Sequence, residues 1–220
     1  MSARIVVLIS GAGRNLQAII DACATHRIDG DIVAVISNRA QAAGLARAQA
    51  AGIPTHVLAH QDFADRALYD AALAALIDRH QPDIVVLAGF MRILTADLVR
   101  HYRGRMLNIH PSLLPKYPGL HTHRRALEAG DHEHGATVHF VTEELDGGPA
   151  IVQGKLIVRP EDTEETLAER VMRDVELKIY PQAVAWLARG DVALVGDRVR
   201  FGPGPLRAPL QLDALAEEFR

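Results

Sequence analysis

Along the chain, short unbroken apolar runs take turns with longer stretches in which apolar residues recur at helical spacing. Arg4–Ile9 (RIVVLI) is such a run, and it stops at Ser10-Gly11-Ala12-Gly13. Continuous apolar character of this length predicts a strand buried on both faces, as in a parallel sheet. Leu16, Ile19, Ile20 and Cys23 follow with helical periodicity. A strand at Ile32–Ser37 comes next, then a helix over Ala42–Ala51 closed by Gly52. Thr55–Leu58 reads as a strand and Asp65–His80 as a long helix, broken by Pro82. Ile84–Ala88 is the next strand. Strands alternating with helices in this way predict βαβ units and an α/β fold with a mostly parallel sheet flanked by helices.

The second half has another texture. Met106–Ile109 predicts a short strand running into a proline-rich loop, His110–Leu120, and Arg124–Glu128 a short helix ending at Gly130. Ala136–Val141 and Ala150–Val158 read as strands flanking the turn Asp146-Gly147-Gly148. A long helix over Glu164–Leu187 carries one apolar stripe, Leu167, Val171, Val175, Ile179 and Val184, with Asp162 or Thr163 as N-cap. Val192–Val195 and Arg198–Phe201 form a terminal hairpin. No linker divides the chain, so residues 1–201 are read as one domain and residues 202–220, with three prolines, as a peripheral tail.

Composition narrows the function classes. Apolar residues make up 49% of the 220 and charged residues 23%, enough for a sizeable core. The net charge of −3 offers no global basic field, so no nucleic-acid partner is expected and any anionic ligand must be held by local groups. No apolar run reaches the roughly 18 residues of a membrane span. Cys23 is the one cysteine, which excludes an internal disulfide and a thiolate cluster. These features, with no secretory leader in MSARIVVLISG, predict a cytoplasmic protein.

Two constellations carry chemistry. Gly11, Gly13, Arg14 and Asn15 lie where the first strand turns into the first helix, and N–H groups at a helix N-terminus bind anions. A dinucleotide fingerprint would need glycine at 16 and an acid near 38, where Leu16 and Asn38 stand, so a phosphate monoester suits better. The same turn also serves as a plain strand-to-helix connection. The second constellation is Asn108, His110 and Asp146. Strand alternation puts Asn108 and His110 on one face at a carboxyl end, where ligands bind in open parallel sheets. Pro111, Pro115 and Pro118 stiffen the loop beyond. Asp146 precedes two glycines that permit close backbone approach to a ligand.

Those side chains suit acyl transfer to an amine. Asn108 and an imidazolium at His110 would donate hydrogen bonds to a tetrahedral oxyanion, and Asp146, directly or through water, would take the proton of the attacking amine. Taken alone, an Asn-x-His pair also occurs as a hydrogen-bonded structural pair, and Asp-Gly-Gly as a turn. Cys23 sits mid-helix on an apolar stripe, a poor place for a nucleophile. His121, His123, His132, His134 and His139 invite a metal reading, but i,i+2 pairs do not converge as three or four ligands, and no metal is expected.

Leu107–His123 (LNIHPSLLPKYPGLHTH), Val86–Leu94 (VLAGFMRIL), His139-Phe140-Val141 with Glu144–Pro149 (ELDGGP), and Ile179-Tyr180-Pro181 together resemble the folate-dependent formyltransferases. The Asn-x-His-Pro-Ser-Leu-Leu-Pro core is common to them, and Gly119-Leu-His-Thr-His123 is similar to the branch acting on glycinamide ribonucleotide. The resemblance spans Arg4 to about Leu187. It implies a Rossmann-like N-terminal half holding the substrate phosphate and a later half along which 10-formyltetrahydrofolate lies, with small-molecule substrates and a monomer or homodimer. By motif it implies Asn108, His110 and Asp146 as the catalytic trio. Gly13, Arg14 and Asn15 match the phosphate turn and Glu176 the acid that meets the ribose. Arg66, Met91, Arg92, Ile93, Leu94, Asn108 and Val141, with the loop 141–146, match the folate positions. The turn departs from the pattern at Ala12 and Arg14, where members often carry Asn and Ser. Other branches differ in what they add: methionyl-tRNA formyltransferases carry a basic C-terminal domain, and formyltetrahydrofolate hydrolases an N-terminal regulatory one.

Overall fold

The apolar runs at the centre of the sheet become strands with two covered faces. In the computed structural model, which describes residues 2–220, β1 (Ala3–Ile9) buries every side chain but that of Arg4. Ile5, Val7 and Ile9 face one core, built with α1 (Arg14–Ala24), α2 (Gly44–Ala50) and the C-terminal helix α7 (Leu177–Arg189). Val6 and Leu8 face the other, built with α3 (Arg66–Asp78) and α4 (Ala96–His101). The remaining strands are β2 (Gly30–Ser37), β3 (Thr55–Val57), β4 (Ile84–Leu87), β5 (Met106–His110), β6 (Glu133–Phe140) and β7 (Ala150–Ile157). Their order in the seven-stranded sheet is β3-β2-β1-β4-β5-β6-β7.

Pairing is parallel from β3 to β5 and antiparallel at β5–β6 and β6–β7. The chain runs outward from β1 through β2 to β3, then crosses back to place β4 on the other side of β1. That reversal is the switch point at which open α/β sheets hold ligands, at the carboxyl ends of β1 and β4.

Some elements differ from the sequence reading. The helix α4 was not expected; its six residues are too few to show a period. The long helix over Glu164–Leu187 is divided into α6 (Glu164–Val171), a π-helical turn at Met172–Glu176, and α7. Pro181 lies inside α7 and has no N–H to donate to the Leu177 carbonyl, so the α-ladder lacks one bond just after the π-helical turn. The predicted stripe Leu167, Val171, Val175, Ile179 and Val184 is nonetheless fully buried. Thr163 is the N-cap, accepting from the N–H of Thr166. The terminal hairpin, β8 (Val192–Val195) and β9 (Arg198–Phe201), gains a third strand, β10 (Gly204–Pro205). The segment from 202 onward is not peripheral: Leu215 and Phe219 are buried in the core, and Leu210 pairs with Val152 on β7. The tail's prolines mask its apolar anchors in the sequence, and the anchors decide its place.

Candidate active site

The carboxyl end of β5 presents Leu107 and Ile109 to the core and Asn108 and His110 to the opposite face. Antiparallel pairing then sets Asn108 across from His139 on β6. The amide Nδ2 of Asn108 lies 3.2 Å from His139 Nε2, and His139 Nδ1 lies 2.9 Å from the Phe140 carbonyl. A carbonyl only accepts, so Nδ1 carries the proton and Nε2 is free to accept from the amide. Burial holds the His139 pKa below the usual imidazole value, which keeps that tautomer neutral. His139 was read as one of several histidines and within the His139-Phe140-Val141 motif, with no role of its own; its place opposite Asn108 follows from strand pairing, which the sequence pattern does not specify.

His110 is engaged on both sides. Its Nε2 lies 2.8 Å from the Tyr117 carbonyl, and its Nδ1 lies 3.4 Å from Asp146 Oδ2. Asp146 Oδ1 is 3.9 Å from His139 Nε2, so the carboxylate stands between the two rings. The Asp146 side chain is 8% exposed. Its backbone has φ +52°, a left-handed conformation that costs an ordinary residue energy and suits Asp or Asn. Its Oδ2 also accepts from the N–H of Gly119 at 2.8 Å, so the Gly119–His123 segment is tied directly to the trio. The expected close approach after Asp146 is to the chain itself: a Cβ on Gly148 would fall 1.8 Å from the Phe140 carbonyl oxygen. The proline loop is fixed by buried side chains as well as by its rings. Thr137 Oγ1 donates to the Ser112 carbonyl and accepts from the N–H of Leu114, and Gln153 Nε2 donates to the Leu114 carbonyl.

The turn expected to hold phosphate is open at Gly11 and packed at Gly13. Gly13 has φ +72°, and a Cβ there would lie 2.6 Å from the Cα of Gly44. The Gly11 carbonyl accepts from the N–H of Gly44, and the Ala12 carbonyl from Arg47 Nε. No side chain caps α1, and its first turn holds no acid, so the helix N-terminus keeps its attraction for an anion. Arg14 does not stand free. Its guanidinium forms a two-pronged pair with Glu169 on α6, at 2.6 and 2.8 Å. Asn15 Nδ2 donates to Glu176 Oε2 at 2.7 Å, while Asn15 Oδ1 is buried without a partner. Glu176 belongs to the π-helical turn, which aims it inward, and burial pushes its pKa up.

The folate positions fall into two sets. Met91 and Ile93 are exposed, at 63% and 57%, whereas Leu94 and Val141 pack on the second core. The Arg92 guanidinium lies over the Tyr69 ring, 5.4 Å from its centroid, and its Nε is buried without a partner. Arg66 opens α3 and is exposed. Cys23 packs against the core, where burial pushes its thiol up to about 12. Of the other histidines, His134 Nε2 and His123 Nδ1 are 3.0 Å apart and bond each other. Among the described residues, no three of His, Cys, Asp and Glu converge as metal ligands.

This arrangement sets an uncapped glycine turn, an Asn–His–Asp cluster and an exposed apolar segment at the carboxyl ends of β1, β5 and β4. The family model described as formyl transferase matches residues 3–184. The chain belongs to the formyl transferase family. Among proteins of this family, it is 60% identical to the phosphoribosylglycinamide formyltransferase of Escherichia coli K12, over 84% of this chain and 87% of that one. A solved phosphoribosylglycinamide formyltransferase from Coxiella burnetii, in complex with CHES, is 50% identical with a TM-score of 0.91. That match covers 96% of this chain and 99% of the other. A formyltetrahydrofolate deformylase from Pseudomonas putida KT2440 shares the formyl transferase fold at 28% identity and TM-score 0.82, over 91% of this chain and 70% of that one.

Proposed function

We propose that this chain is a phosphoribosylglycinamide formyltransferase, which moves the formyl group of 10-formyltetrahydrofolate to the primary amine of glycinamide ribonucleotide in purine assembly. The observation that carries the reading is the gathering of Asn108, His110 and Asp146 at the carboxyl end of β5, the same end of the sheet at which the uncapped turn Gly11–Asn15 follows β1 and the exposed segment Met91–Leu94 follows β4. The turn would take the phosphate, with Gly13, Arg14 and Asn15, and Glu176 the ribose. Arg66, Met91, Arg92, Ile93, Leu94 and Val141 would hold the folate. The protein would work as a cytoplasmic monomer or homodimer on small molecules, without a metal. Among the described residues, no helix is long and apolar enough to cross a membrane.

The chemistry then runs without a covalent enzyme intermediate. The amine nitrogen attacks the formyl carbon, and the carbonyl electrons move onto oxygen. Asn108 Nδ2 and an N–H of His110 donate to that oxyanion. Both nitrogens of His110 are engaged in the present structure, so one contact must open, and the Tyr117 carbonyl is the one an incoming formyl oxygen would replace. Asp146, directly or through one water, accepts the ammonium proton, and the proton passes to the departing folate nitrogen as its bond to carbon breaks.

The test supplies formylated tetrahydrofolate with glycinamide ribonucleotide, methionyl-tRNA or water alone and follows products by mass. Formylated ribonucleotide is the expected product. Deformylation that ignores added ribonucleotide would move the chain to the hydrolase branch, and equal formylation of methionyl-tRNA would refute the acceptor.

A further inference from the structure

Ser10 closes β1 at the switch point of the sheet and is 4% exposed. The β1–β4 ladder runs as far as Leu8 and Leu87, with the Ala88 N–H reaching the Leu8 carbonyl one step beyond. Past that step the two chains part into the two ligand-facing segments, Gly11–Asn15 on one side and Met91–Leu94 on the other. Ser10 spans the gap. Its N–H donates to the Gly89 carbonyl at 3.1 Å, and its Oγ accepts from the N–H of Met91 at 2.8 Å. The hydroxyl proton goes to Asn38 Oδ1 at 2.6 Å, and Asn38 Nδ2 lies 3.3 Å from His60 Nδ1.

Phe90, just before the folate-facing segment, is buried in the second core, but among the described residues the Met91 N–H makes its one hydrogen bond to Ser10. Met91 and Ile93 bury little side chain, and Arg92 N–H bonds only locally, to Phe90. The far end is held by another group, Asp70 Oδ2, which accepts from the N–H of Thr95 at 2.6 Å. Only the Ser10 anchor also belongs to the phosphate turn.

We propose that Ser10 is a positioning residue that locks the folate-facing segment and the phosphate turn into one register, so that a single hydroxyl sets the affinity for both substrates. This rests on the proposed formyl transfer. Removing the hydroxyl leaves the Met91 N–H and Asn38 Oδ1 without their partner, and both ligand-facing segments lose the same brace.

The experiment compares the native chain with Ser10→Ala, Ser10→Thr and Asp70→Asn, recording kcat, KM for each substrate, the pH–rate profile and the melting temperature. Ser10→Ala is expected to raise both KM values about three- to tenfold, the range for one buried hydrogen bond. Its kcat should stay within about twofold and its pH profile keep its form, since the lost binding is uniform. Ser10→Thr, which keeps a hydroxyl, should restore both constants. Asp70→Asn should raise KM for the folate alone. If Ser10→Ala does not fold, Asn38→Ala, which removes the acceptor of the hydroxyl proton, should shift both constants in the same direction. Normal KM values in Ser10→Ala, with or without a lower melting temperature, would overturn the inference, as would Asp70→Asn raising both equally. A native chain that turns over ribonucleotide beside a kinetically normal Ser10→Ala sinks this inference alone; a native chain inert toward ribonucleotide sinks the proposed function first.

Discussion

At the scale of single residues, Asn108, His110 and Asp146 could be singled out because they sit in motifs, and the fold places them at one end of β5; what surrounds them was not legible. His139 opposite Asn108, the Tyr117 carbonyl on His110 and the Gly119 N–H on Asp146 depend on pairing and loop path, which have no local signature. His110→Ala or Asn108→Ala should lower kcat by roughly 10²–10⁴, the range for one acid–base group or oxyanion donor, and steady-state assays with both substrates check it. Asp146→Asn keeps a residue tolerant of φ +52° while removing the charge beside His110. Its pH–rate curve should therefore change form, and an unchanged curve at full activity would exclude Asp146 from the proton path. The paired histidines, like a salt-bridged acid, lose their contribution as pH falls, but they do so at a higher pH. Burial, and then His123, push the His134 pKa down to about 4, and burial lowers that of His123. The unfolded chain takes up these protons first, near pH 6.5, so their contribution is whole above that value and is lost as pH falls toward 4. Urea titrations at pH 7.5 and 5 should show a drop of roughly 1–2 kcal/mol, and the drop should shrink in His134→Gln.

At the scale of elements, periodicity located the strands and long helices, and the misses have physical causes. The helix α4 is too short to display a period, and the π-helical turn keeps the apolar stripe intact while changing where Glu176 points. Arg14 is the sharpest case. The resemblance offered it as part of the phosphate turn, at a position where members often carry Ser, and it is held by Glu169 across α1 and α6. Such a half-exposed pair adds little stability, roughly 0–1 kcal/mol, so its consequence lies in holding a guanidinium beside the turn. Arg14→Ser should accordingly leave the melting temperature nearly unchanged. It should raise KM for the ribonucleotide about three- to tenfold, the weight of a charge-assisted hydrogen bond, and spare KM for the folate. Unmoved constants for both substrates would make the residue a bystander.

At the scale of the whole molecule, the α/β class and the mostly parallel main sheet were readable from strand–helix alternation. The antiparallel turn taken at β6 and the burial of the tail were not, because both are settled by partners distant in the chain. The same distance orders events in time. The bonds beside the glycine turn, on the side proposed for the ribonucleotide, join Arg14 to Glu169 and Asn15 to Glu176, across 155 and 161 residues. Asn108 and His139, by contrast, are only 31 residues apart. Loop closure makes widely separated contacts slow to form, so they should assemble after the strands and helices that carry them. In refolding from urea, far-ultraviolet ellipticity should recover first and transferase activity after it, with the lag lying in ribonucleotide binding. Activity that returned in step with ellipticity would show that the two ends of the chain meet early, and catalysis would then report nothing about the last stage of folding.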